Sequence, residues 1–322
     1  MVSAGALTAP VVITGPTGWI GSAFLALLAA RLGPGWQRRV KLFASSAREH
    51  LAPDGSMVSL RGLDTLCPAD VEGAIVVHLA YLTKEKAELL GERRFTDTNL
   101  AIDDHLLAAL AGATPKAVFV ASSGAAALAE RGVDRHPYGM CKLRQEDRFL
   151  TWGARAGVPV LAGRIFNIAG PYINKVDSYA IGSFISQALT RGRIQIDAPL
   201  PVFRSFLHVH DLCTLVLNAL DQKVGRPSAF DLCGAEVLEM SDVAQVVATQ
   251  IGGAIEVVRA PVDLGRASAY LGDFTQTKIL GMALEHRFAP FSAQIGDTLG
   301  WLQASHATIQ KTVRDETNYA SA

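Results

Sequence analysis

The chain has 322 residues, 49% hydrophobic and 19% charged, and its 30 basic and 30 acidic residues leave a formal net charge of zero. That balance fits a core-forming globular protein and excludes a disordered chain. Zero net charge gives no drive towards nucleic acid or an anionic membrane surface, so an anionic ligand has to be held by local groups.

The N-terminal stretch "MVSAGALTAP" lacks a basic n-region, and no signal peptide is read there. No apolar run reaches the length that spans a bilayer. "PVVITG" then reads as a buried strand, and "SAFLALLAARLG" as a helix ending near Gly33. Between them "TGPTGWIG" sets Gly15, Gly18 and Gly21 in a strand-to-helix turn. Gly15 allows a tight turn, Gly18 lets backbone N–H groups approach a pyrophosphate, and Gly21 lets the helix pack close to the strand. A pyrophosphate would sit at the helix N-terminus, beside Thr17, Trp19 and Ile20.

"RRVKLFASS" reads as the second strand, and no element is read from 47 to 72. In a dinucleotide fold an acid at the end of this strand holds the ribose of NAD. Here Ser45, Ser46 and Arg48 stand in that zone with no carboxylate, which favours the 2′-phosphate of NADP, with NAD as the alternative. "GAIVVHLAY" is a β-branched run of the kind buried in a doubly covered parallel sheet. A helix over "FTDTNLAIDDHLLAALAGA" and a strand over "KAVFVASSG" follow, the strand ending on Ser122 and Ser123.

"HPYGMCKLRQEDRFLTWGARAG" reads as a long helix from Pro137 to Gly157. It puts Tyr138 and Lys142 four apart on one face. A phenol with an ordinary pKa of about 10 is a poor acid–base group, and a neighbouring ammonium lowers that value. The pair can then exchange a proton with a substrate oxygen. "VPVLAGRIFN" is the next strand. Alternating strands and helices give an α/β fold, a doubly wound parallel sheet of the Rossmann-like kind.

After Asn167 the alternation loosens. "IAGPYINKVDS" reads as a loop, "YAIGSFISQALTRG" as a helix, "RIQIDAP" as a short strand and "SFLHVHDLCTLVLNAL" as strand then helix. "SAFDLCG" is a strand, and "MSDVAQVVATQIGG", "TQTKILGMALEHRF" and "AQIGDTLGWLQASH" are helical. The organisation expected is a dinucleotide-binding domain over 1–170 that also receives about 205–235. A smaller interleaved substrate lobe takes 171–204 and 236–322. Four cysteines without CxxC spacing imply neither a disulfide framework nor a zinc site, and free thiols fit a cytoplasmic protein. His208 and His210 form an H-x-H pair without a third ligand nearby, so no metal is expected.

The glycine spacing is GxxGxxG rather than GxGxxG, and a serine pair follows it, then YxxxK fifteen residues after Ser123. This order resembles the extended short-chain dehydrogenase/reductases, the NAD(P)-dependent nucleotide-sugar epimerases, dehydratases and reductases. "HLAY", "GRIFNIAGPY", "RSFLHVHDL" and "GDFTQTKILG" continue the likeness along the chain. The resemblance implies that Ser123 holds the substrate oxygen, that Tyr138 is the general acid or base, and that Lys142 binds the nicotinamide ribose and tunes Tyr138. Ser122 is the other register for the serine. Leu79, Ala80, Tyr81 and Asn99 would line the cofactor, Asn167 would approach the substrate, and Arg204 would meet a substrate phosphate.

The same likeness sorts the reactions. A 4,6-dehydratase carries Asp-Glu after the hydroxyl residue, and a 3,5-epimerase/reductase carries a cysteine there. Gly124 and Ala125 disfavour both. "SSGAAALAE" lacks the usual VYG, and Ser205 stands where an Asp is usual, which leaves the sugar open. An NADP-dependent 4-ketoreductase is expected, with an NAD-dependent 4-epimerase as the alternative and a non-catalytic NADP-sensing protein as the third. The likeness also implies a homodimer through the Asn99 and Tyr138 helices. Leu106, Ala109, Leu143 and Phe149 belong either to that surface or to the core.

Overall fold

The computed structural model describes residues 7–226 and 228–319, with side chains as far as 305. The first six residues of the N-terminal stretch and the last three of the chain lie outside the described residues. In chain order the first half runs β1 (Val11–Thr14), α1 (Trp19–Leu32), β2 (Val40–Ala44), β3 (Arg48–Leu51), β4 (Met57–Gly62), α2 (Pro68–Val71), β5 (Ile75–His78), α3 (Lys84–Leu90), α4 (Glu92–Ala111), β6 (Ala117–Ser123), α5 (Gly124–Glu130), α6 (Pro137–Ala156) and β7 (Val160–Ile165). The second half runs β8 (Asn167–Ala169), α7 (Ala180–Arg191), β9 (Arg193–Ile196), β10 (Val202–Arg204), β11 (Phe206–His208), α8 (Val209–Asp221), β12 (Phe230–Leu232), β13 (Leu238–Glu239), α9 (Met240–Ile251), β14 (Glu256–Arg259), β15 (Ser268–Tyr270), α10 (Phe274–Ala283) and α11 (Phe291–Tyr319).

Eight strands form one sheet in the order β12-β7-β6-β5-β1-β2-β4-β3, parallel except for the edge strand β3. Alternate residues of each central strand feed opposite layers. Val11 and Ile13 join the core that includes Phe24 of α1 and Val216 of α8. Val12, between them, joins Leu106, Leu110 and Phe149 beneath α4 and α6. A strand buried on both faces has no polar side to show, which is why "VVIT" and "IVVH" are unbroken apolar runs up to their last residue. The chain winds outwards from β1 through β2 and from β5 through β6, so the sheet reverses direction between β1 and β5. Ligands in such sheets bind at that switch, outside the carboxyl ends of the strands.

The remaining strands are short. β9 pairs with β14, β8 with β11, and β10 lies between β13 and β15. β11 and α8 bring the chain back so that β12 can join β7 in the large sheet.

Three points go beyond the sequence. The stretch left without an element holds α2 and the β3–β4 hairpin, turned through Ala52–Ser56, where Gly55 sits at φ 82° in a P-D-G turn signal. Leu106, Ala109 and Phe149 are buried in the α4/α6 core, so of the four dimer candidates only Leu143 is partly exposed. The H-x-H pair straddles the step from strand to helix. His208 ends β11 and caps α8 by accepting from His210 N–H at 3.1 Å, which puts His210 in the helix. Among the described residues no helix is long and apolar enough to cross a membrane.

Candidate active site

A cleft of about 920 Å³ opens at the carboxyl ends of the central strands. Its floor is the glycine turn. Gly15 has φ 73° and donates to Phe43 O at 2.8 Å, and a Cβ there would lie 2.8 Å from Ala80 N. A Cβ on Gly21 would lie 2.5 Å from Gly15 O and from Pro16, so its packing is against the turn itself rather than against the strand. Gly18 has only Gly15 O within 4 Å of its absent Cβ, at 3.8 Å, so that side of the turn stays open. Gly18 is also the N-cap of α1, and no side chain caps it. The free N–H groups of α1 therefore form a cradle of the kind that holds a pyrophosphate, and the residues present fit a dinucleotide. Thr17, Trp19 and Ile20 line the cleft with them. Trp19 is fixed by donating from Nε1 to Pro171 O at 2.6 Å.

The wall is built by β5, β6 and α6. Leu79, Ala80 and Tyr81 line it, as do Ser122, Ser123, Tyr138 and Lys142. The two serines alternate across the strand end. Ser122 Oγ donates to the buried Glu146 at 2.5 Å, and Arg164 clamps Glu146 with both its Nε and one terminal nitrogen. Ser123 caps α5, its Oγ accepting from Ala125 N–H at 3.2 Å and lying 3.4 Å from the Tyr270 hydroxyl. His136 caps α6 by accepting from Tyr138 N–H, which fixes where the phenol enters the site.

The electrostatics differ from the expectation for Tyr138. Burial pushes its phenol up to about 12, and hydrogen bonding with Ser123 draws it back down. The Lys142 ammonium is turned towards Ala121 O at 2.6 Å and Gln145 Oε1 at 2.9 Å, and lies 3.5 Å from the centre of the Tyr81 ring. Burial pushes Lys142 down to about 7 against the pull of Asp103 and Glu146. The phenol is therefore protonated at neutral pH, the form a general acid requires.

The far side of the cleft comes from the short strands. Asn167 lines it and donates to Ser205 O at 3.2 Å. Arg204 lines it as a half-buried guanidinium that donates to Phe203 O, and no carboxylate pairs with it among the described residues. Burial lowers its pKa.

Four expected cofactor residues lie elsewhere. Asn99 is fully buried and holds the wall from behind, its Oδ1 accepting from Leu82 N–H at 2.8 Å. Ser45, Ser46 and Arg48 are exposed just beyond β2 and are not part of the cleft lining. The reason is the unforeseen hairpin: Arg48 opens β3, and its guanidinium reaches back to Ser46 O and Oγ. Tyr270 was not foreseen. It closes β15, packs tilted against Phe166 with ring centres 4.9 Å apart and brings its hydroxyl to Ser123. The opening for it is Gly124, where a Cβ would lie 2.6 Å from that hydroxyl. The tyrosine in "ASAYLGDF" precedes the tail motif closely, and that proximity was the available signal.

Residues 11–233 match the family described as the NAD dependent epimerase/dehydratase family. The chain is 27% identical over 187 residues to the GDP-6-deoxy-D-mannose reductase of Pseudomonas aeruginosa, covering 56% of this chain and 54% of that one. It is 26% identical over 147 residues to the dTDP-L-rhamnose 4-epimerase of Burkholderia thailandensis, covering 42% of this chain and 40% of that one. These matches thus span about half the length of those relatives or less. The structure of RMD from Pseudomonas aeruginosa complexed with NADPH superposes with a TM-score of 0.69 at 24% identity, over 92% of this chain and all of that one. The UDP-N-acetylglucosamine 4-epimerase from Methanobrevibacter ruminantium M1 superposes with a TM-score of 0.73 at 18% identity, over 92% and 99%. The chain belongs to the NAD dependent epimerase/dehydratase family, on the Rossmann-like fold of the extended short-chain dehydrogenase/reductases.

Proposed function

We propose that this chain is an NADP-dependent reductase of a keto group on a nucleotide-linked sugar, of the 4-ketoreductase type, with Tyr138 as the proton donor. The observation that carries the reading is the meeting of Ser123, Tyr138 and Lys142 in a cleft that also contains the uncapped N-terminus of α1. Nicotinamide bound there supplies the hydride. Ser123 and Tyr138 would hold the carbonyl oxygen, and the protonated phenol would deliver its proton as charge develops there. Lys142 would hold the ribose and the charge balance of the site. Arg204, half-buried without a carboxylate, suits a substrate phosphate.

Gly124 argues against the two other chemistries of such enzymes. A Cβ there would lie 2.5 Å from the Phe166 ring and 2.6 Å from the Tyr270 hydroxyl, so an acid or thiol would need both to move. The absence of a carboxylate at Ala44, Ser45 and Ser46, where β2 ends, supports NADP, as does the likeness to a reductase complexed with NADPH. The likeness to a 4-epimerase supports the second reading, in which NAD stays bound and the sugar is re-reduced on its other face.

The test is turnover of nucleotide-linked 4-keto sugars with NADPH or NADH. NADPH consumption with a reduced sugar as product supports the reductase. Interconversion of sugar isomers without net consumption of NADPH supports the epimerase. Ligand binding without turnover, unaltered by Tyr138→Phe, supports the sensor. A homodimer belongs to the same proposal, and light scattering checks it.

A further inference from the structure

Behind Lys142 lies a chain of buried polar side chains that the reaction just proposed does not use. Lys142 is 4% exposed, Gln145 1% and Asp103 1%. Lys142 donates to Gln145 Oε1 at 2.9 Å, and Gln145 Nε2 donates to Asp103 Oδ1 at 2.6 Å. The amide can face only this way, because an ammonium only donates and a carboxylate only accepts. From the other side Ala80 N–H donates to Thr14 Oγ1 at 3.2 Å, and Thr14 lies 2.7 Å from His78 Nδ1. Thr14 thus has its own proton to give Nδ1, and Nε2 is the ring nitrogen that faces the same Asp103 oxygen, at 3.2 Å.

Both arms therefore converge on one carboxylate. One arm starts at the turn that receives the cofactor, the other at the ammonium. Spacing is the reason they meet. Asp103 lies four residues after Asn99 on the buried face of α4, and Gln145 lies three after Lys142 on α6. Burying the ammonium without a compensating charge would neutralise it. The other groups around it are Glu146, Cys141 and Tyr138 on α6, and Tyr81 after β5. Glu146 is already held by Arg164 and Ser122. Arg148 lies 3.7 Å from the second oxygen of Asp103.

We propose that Asp103, acting through Gln145, is a positioning residue that keeps the Lys142 ammonium charged and aimed. This rests on the reading of Lys142 as part of the site. The direction follows from linkage. Removing a negative charge or an acceptor near an ammonium disfavours the charged form, so Lys142 loses its proton at lower pH.

The test is a titration of Lys142 in 13C-lysine-labelled protein without cofactor or substrate, the signal assigned by Lys142→Arg. Asp103→Asn and Gln145→Met should each lower the midpoint by about one unit or more. The alkaline limb of NADPH-dependent turnover should move to lower pH by the same amount, and turnover on that limb should fall about tenfold with the sugar KM unchanged. If Asp103→Asn does not fold, Gln145→Met carries the test. An unchanged midpoint in a folded variant would overturn the inference. The midpoint is read without turnover, so failure of the reductase reading is seen separately, as no net NADPH consumption with nucleotide-linked 4-keto sugars.

Discussion

Two buried carboxylates flank the end of β6, and the fold uses them differently. Glu146 is locked: Arg164 grips both its oxygens, Ser122 donates to it, and Arg164 reaches on to Glu130. Asp103 has no such clamp. Its close partners are the Gln145 amide and the His78 ring, with Arg148 at 3.7 Å. A carboxylate clamped by arginine spends its charge on the fold, whereas one reached through an amide keeps charge to offer Lys142. The serines follow the same division. Successive strand residues face opposite ways, so Ser122 serves the locked network and Ser123 the cleft.

The division can be broken from either side. Tyr138→Phe should leave the fold intact and lower kcat by about 10²–10⁴-fold, as expected for loss of a general acid. Turnover at the wild-type rate would overturn the assignment. Arg164→Ala should act on the opposite quantity. It strands Glu146 in the interior and should cost about 3–5 kcal/mol of stability. Denaturant unfolding measures it, and an unchanged midpoint would mean that the clamp does not stabilise the fold.

The serine pair sharpens the comparison further. Ser123→Ala should lower kcat by about 10²-fold, the usual cost of removing one donor to a developing oxyanion. Ser122→Ala should instead cost about 1–2 kcal/mol of stability, because it removes a donor from a buried carboxylate, while kcat changes little. Interchanged results would assign the substrate to Ser122.

Much of this site was legible in the sequence because it is local. The glycine turn, the strand-end serines and Tyr138 with Lys142 each lie within one strand–turn–helix unit, where spacing fixes geometry. What escaped was non-local. Tyr270 reaches Ser123 from 147 residues away, through β15 pairing with β10 in a small sheet without periodicity of its own. Asp103 and Gln145 lie on different helices, and their contact depends on how α4 packs against α6. The phenol also misled. Burial of the phenol raises its pKa, and the Lys142 ammonium makes its hydrogen bonds to Ala121 O and Gln145.

The smallest expected effect concerns the cofactor's outer end. Arg48 is exposed, and among the described residues its guanidinium is held only by Ser46 O and Oγ at 3.4 and 3.3 Å. It does not line the cleft, yet β2 ends beside the glycine turn, tied there by the Gly15 N–H to Phe43 O hydrogen bond. A 2′-phosphate in that corner would meet an arginine screened by water, so the gain is about 1 kcal/mol or less. Arg48→Ala should therefore weaken NADPH binding by roughly fivefold and leave NADH binding unchanged, as read by nucleotide fluorescence titration. Because the interaction is between exposed charges, the difference between variant and parent should shrink as salt is raised. Equal weakening of both nucleotides would remove Arg48 from the choice of cofactor and leave the missing carboxylate at the end of β2 as the feature that favours NADP.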